Sequence, residues 1–176
     1  PSETLTIETH NMTSQSLTAQ VSVRSTSLLD RLLATDHSLA PTVLRLTAAL
    51  VMFPHGAQKA LGWFGGYGWT GTMGFLTGQI GLPSPAAALI ILLEFLGPLL
   101  LLAGLGTRAI GLGFVGIMLG AITTVHAQHG FFMNWSGAQQ GEGFEFHLLV
   151  IGAAAALALT GGGRWSLDGK LARNRA

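Results

Sequence analysis

The chain contains no cysteine among its 176 residues. That excludes disulfides, thiol relays, Fe–S clusters and thiolate metal sites together, so no cofactor is held through cysteine. Any redox chemistry then needs a quinone, another bound cofactor, or a metal held by His and Glu. Charge is scarce as well: Asp, Glu, Lys and Arg make up 10% of the residues, against about 25% in an ordinary soluble domain. The scarcity is uneven, because segments 60–84 and 127–144 hold no Lys or Arg at all. A net charge of +1 offers nothing for a nucleic-acid backbone, so no nucleic-acid partner is expected.

Apolar surface and glycine are what the chain has in quantity. Hydrophobic residues reach 49%, glycine accounts for 25 positions, and the mean hydropathy is +0.50. Small residues let membrane helices approach closely. These values imply an integral membrane protein whose direct partner is the lipid bilayer.

Residues 1–37 form a polar, Ser- and Thr-rich extension. Thr4-Leu5-Thr6-Ile7 alternates like a short strand suited to adding onto a partner's sheet, so the extension is expected to dock on other membrane protein subunits. Ser27–Ala34 places Leu28, Leu29, Leu32 and Leu33 beside Asp30 and Arg31, the pattern of a short amphipathic helix in the interface. Asp36-His37-Ser38 supplies helix-capping chemistry before Pro41.

Spanning a bilayer core of ~30 Å takes ~20 helical residues. Four segments are read as spans: about Thr42 to Lys59 or Leu61, Pro85 to Leu105, Arg108 to His126, and Glu145 to Thr160, the last short unless Gly143 and Phe144 lengthen it. The expected fold is therefore all-α, a four-helix transmembrane bundle over residues 38–169. The N-terminal extension precedes it, and a basic cytoplasmic tail, 170–176, follows. Arg24, Arg31, Arg45, Arg108, Arg164, Lys170, Arg173 and Arg175 all fall on one side, which predicts a multi-pass protein with both termini cytoplasmic. Trp63, Phe64, Tyr67 and Trp69 in one loop, and Phe131, Phe132 and Trp135 in the other, suit the opposite interface. Arg45, near the inner end of its helix, reads as a topology anchor.

In that topology the ionisable groups gather at one level. His55 and Lys59 share a face at the outer end of the first span. His126 and His129 lie at the outer end of the third, and Glu145 and His147 open the fourth, with Glu142 just before. Glu94 lies roughly 13 Å below the outer surface, at ~1.5 Å per residue. A carboxyl at that depth must be neutral or paired with a cation. His55, Lys59, Glu94, His126 and Glu145 are therefore the candidate polar site, with Gln58, His129, Glu142 and His147 secondary. Residues near helix ends equally suit caps or solvated groups. Three chemistries fit: a quinone head-group site, a metal or haem site, and a structural polar lock inside an accessory subunit. No His-x-x-Glu or paired helical motif is present, so no metal ligand set is assigned.

Several motifs resemble one family. They are Phe53-Pro54-His55-Gly56-Ala57-Gln58-Lys59, the run Leu93-Glu94-Phe95-Leu96-Gly97-Pro98 through Gly104-Leu105-Gly106-Thr107-Arg108, Gly130-Phe131-Phe132-Met133-Asn134, Gly143-Phe144-Glu145, and Gly161-Gly162-Gly163-Arg164-Trp165-Ser166-Leu167-Asp168. In this order, over about residues 40–169, the chain resembles the DoxX family of small four-helix bacterial inner-membrane proteins. The resemblance implies a place in redox and oxidative-stress systems, and a relationship to subunits of an archaeal thiosulfate:quinone oxidoreductase. It supplies no agreed catalytic set.

Overall fold

The computed structural model describes residues 27–174, which are helical with no strand among them. The Thr4–Ile7 segment and the expected docking of the N-terminal extension lie outside the described residues. The helices are α1 (Leu28–Leu33), α2 (Leu39–Leu61), α3 (Gly68–Gly74), α4 (Ser84–Ala103), α5 (Thr107–Ala121), α6 (Glu145–Thr160) and α7 (Leu167–Arg173). Ser27 and Asp30 close a reciprocal capping box on α1, with Ser27 Oγ accepting from the Asp30 amide at 3.1 Å and Asp30 Oδ2 accepting from the Ser27 amide at 2.9 Å. Ser38 precedes α2 but its side chain makes no cap bond; its Oγ donates to Asp36 instead.

Helix α2 packs chiefly on α4, and α5 on α6, with α2–α6 and α4–α5 contacts joining the two pairs. Glycine sets both close approaches. A Cβ on Gly56 would overlap the Glu94 carbonyl oxygen, and one on Gly111 would lie 2.6 Å from the Ala154 carbonyl oxygen. Pro98 has no N–H to give the Glu94 carbonyl four residues back, so that oxygen is free to face the Gly56 Cα. Ala49, Met52, Leu101, Ile110, Phe114, Met118, Val150 and Ala154 interlock as the common core.

Two helical stretches are long and apolar enough to cross a membrane: Ser84–Ala103, and Thr107–His129, in which α5 continues through a π-helical turn (Ile122–His126) and a 3-10 turn (Ala127–His129). Helix α6 is apolar but shorter, at 16 residues.

Three features differ from expectation. Segment 60–84, expected as a loop, contains a 3-10 turn (Trp63–Gly65), α3 and a π-helical turn (Phe75–Gln79). Gly68, Gly71, Gly74 and Gly78 dilute its apolar periodicity, which hides it in the sequence. Helix α7 runs through the boundary expected at 169–170.

The third is Arg45, read from the sequence as a topology anchor, which is 3% exposed and turned into the molecule. Its guanidinium donates to Gly162 O at 2.9 Å, to Leu102 O at 2.6 Å, and to Leu101 O. A cation thus satisfies the last carbonyls of α4, where the helix dipole favours it. Buried Asp168 does the reverse for α5, accepting from the Gly106 and Thr107 amides at 2.8 and 2.9 Å. Arg108 donates to Ala34 O and Ala158 O, at 2.7 and 2.8 Å. The end of the molecule carrying the α4–α5 turn is therefore locked by buried hydrogen bonds.

Candidate functional site

At the opposite end the helices enclose a cavity of about 660 Å³. Its polar lining is His55, Lys59, Glu94, His126, Glu142 and His147, and the rest is largely apolar. The size is that of a small-molecule site, and the balance of many apolar walls with few polar groups is the usual one.

Local structure positions each group. On α2, Gly56 draws the helix against α4 and brings Lys59 to the buried Glu94 carboxylate, with which Lys59 Nζ forms a hydrogen-bonded ion pair. Lys59 is about one-third exposed (34%) and Glu94 almost wholly buried (4%), so the pair has a wet end and a dry end. His55, one turn before Lys59, packs its ring on Phe146 of α6 with centroids 5.4 Å apart. The wide turn at Ile122–His126 re-aims the end of α5, and Thr123 and Thr124 hydroxyls donate to the Gly120 carbonyl that it frees, at 3.0 and 2.8 Å. His126 Nδ1 then donates to the Glu142 carbonyl at 2.8 Å. A carbonyl only accepts, so a proton sits on Nδ1.

His126 also stacks on His147, with ring centroids 4.0 Å apart. His147 is buried at 7% exposure, and its Nδ1 finds no hydrogen-bond partner among the described residues. Such a group carries a penalty of about 1–3 kcal/mol.

Of the five primary candidates, His55, Lys59, Glu94 and His126 meet at this cavity. Glu145 does not. Its Oε1 accepts from the Met133 amide at 3.0 Å and from Trp135 Nε1 at 3.1 Å, tying down the loop that precedes α6. Glu142 and His147, both secondary in the sequence, line the cavity instead, and Glu142 Oε2 also accepts from the Asn134 amide at 2.7 Å. Gln58 donates to Phe64 O at 3.2 Å, and His129 packs against Gly141 near Gln128; neither lines the cavity. Phe75, Leu76 and Ile80 form one wall and come from the segment taken for a loop.

Among the described residues the structure is all-helical, with two stretches long and apolar enough to cross a bilayer and a buried ion pair beneath a largely apolar cavity, features that suit a membrane protein. The DoxX family model matches residues 40–127. A protein named "Putative oxidoreductase CatD", from Bacillus subtilis (strain 168), is 35% identical over 126 residues, which are 72% of this chain and 82% of that protein. The chain belongs to the DoxX family and is a membrane protein. No solved structure matches it.

Proposed function

We propose that this chain is a redox-associated protein of the bacterial inner membrane that binds a quinone head group in the cavity above Glu94. It crosses the membrane through α2, α4, α5 and α6, with both termini in the cytoplasm. Outward-facing leucines support the four crossings: Leu50 on α2, Leu89 on α4, Leu112 on α5 and Leu149 on α6 are all exposed. In water such a surface would be an aggregation liability, whereas in lipid it is solvated. The lack of Lys and Arg in segments 60–84 and 127–144 supports the orientation.

The observation that carries the quinone reading is the composition of the cavity floor. Lys59 donates toward it, Glu94 holds the charge of Lys59, and His147 Nδ1 has no partner. A planar ring with two carbonyl oxygens matches that set: Lys59 and a histidine N–H donate to the oxygens, and the apolar walls bury the ring. The same groups are placed to hand on protons during quinone reduction. The similarity to a relative carrying an oxidoreductase name agrees with this reading.

The test is binding of a decyl-tailed benzoquinone to the full chain in lipid nanodiscs, compared with empty discs. Saturable binding that Glu94→Gln weakens by ~10-fold or more, about 1.4 kcal/mol, is expected. Binding no better than to empty discs would sink the reading.

A second reading, an accessory subunit of a larger membrane complex, is favoured by the absence of cysteine. Electrons for a bound quinone cannot come from a thiol of this chain, and in this reading a redox-active partner subunit would supply them. Purification in mild detergent that yields a stoichiometric partner, and no quinone on this chain, would favour a purely structural subunit.

A further inference from the structure

We infer that the ligand reaches this cavity from the lipid phase, through a cleft between α4 and α5 that passes over Gly116 and Gly120, and that its tail stays there. The inference rests on the quinone reading and adds the route and the residues that set it.

The two helices are joined by the tight turn Gly104–Gly106 and stay in contact as far as their middles, where a Cβ on Gly113 would overlap Leu93 Cδ2. One and two turns further on, Gly116 and Gly120 have nothing within 4 Å of a would-be Cβ, and both line the cavity. Across from them, Leu89 lines the cavity while remaining 63% exposed, so the wall is open at this point. These are also the two stretches long and apolar enough to cross the bilayer, which makes the medium outside the cleft hydrocarbon. A gap with apolar lips leading from lipid to a buried ion pair suits a ligand with an apolar tail and a polar ring.

The glycines alone would say little. The independent observation is His147, which lines the same cavity, is more than nine-tenths buried, and leaves Nδ1 without a partner among the described residues. His147 thus forms part of the wall that the ring end of a ligand meets when its tail lies in the cleft. At the far rim, exposed Glu142 opens the cavity to the polar side, so a tailless ligand has a second way in.

The test uses the full chain in lipid nanodiscs and two probes with the same ring, a decyl-tailed benzoquinone and its tailless parent. Gly116→Phe places a ring in the cleft, and the first atom it adds meets no neighbour. It is expected to weaken binding of the tailed quinone at least ~10-fold and to leave the tailless one within ~2-fold, while Gly116→Ala behaves as wild type. Gly120→Phe probes the same cleft one turn outward should Gly116→Phe not fold. His147→Leu is expected to weaken both probes. Wild-type binding that Gly116→Phe and Gly120→Phe leave unchanged, or that they reduce equally for both probes, overturns the lipid route and leaves the quinone reading standing. A wild-type protein that binds neither probe overturns both.

Discussion

Glu94 and Lys59 decide each other's fate. The carboxylate is buried, so removing Lys59 leaves a charge with neither water nor partner, a loss of about 3–5 kcal/mol for a fully buried pair. Lys59 is about one-third exposed, which lets water in and lowers the figure to about 2–3 kcal/mol. Lys59→Met should therefore lower the thermal unfolding midpoint in mild detergent more than Lys59→Met combined with Glu94→Gln. Equal losses in the two variants would show that the pair contributes no coupling. His55, Lys59 and Glu94 were legible as a group because depth alone brings them together. Glu145 and His147 were not separable that way: two residues apart on a helix, they face ~160° apart, and depth carries no information about azimuth. Only the packed structure turns His147 into the cavity and Glu145 toward Met133 and Trp135.

Helix contacts, rather than helix propensities, hold the site open at one end and shut at the other. Gly56→Ala places a methyl against the backbone carbonyl of Glu94, which cannot swing away, so a loss of about 1–3 kcal/mol is expected along with a weakened Lys59–Glu94 pair. Gly116→Ala, with open space around it, should be neutral or slightly stabilising by up to about 1 kcal/mol, since alanine is the better helix former. Matched unfolding midpoints for the two variants would contradict this contrast. Asp168→Asn, which removes the charge held at the start of α5, should cost about 0.5–2 kcal/mol, read from the same midpoints. The long helices were readable from the apolar runs that begin near Thr42, Pro85, Arg108 and Glu145. Arg45 and Asp168 were readable only as charges, because their partners, Gly162 and the Gly106–Thr107 amides, lie more than sixty residues away.

For the molecule as a whole, charge and lock fall at one end and the cavity at the other. The cysteine-free background makes the orientation directly testable, since a single introduced cysteine is the only thiol. Ser136→Cys should react with a membrane-impermeant maleimide on intact cells, and Lys170→Cys only after the membrane is opened. The reverse pattern would invert the proposed topology.

Photoaffinity labelling with an azido-quinone, followed by peptide mapping, reports where a quinone sits in the full chain in native-like lipid. Crosslinks confined to Met52–Lys59, Phe75–Leu82, Leu89–Glu94, Gly116–His126 and Glu142–His147, and suppressed by excess unlabelled quinone, are the predicted result. Crosslinks concentrated instead on the Arg45–Asp168 end, or insensitive to competition, would contradict a quinone site above Glu94.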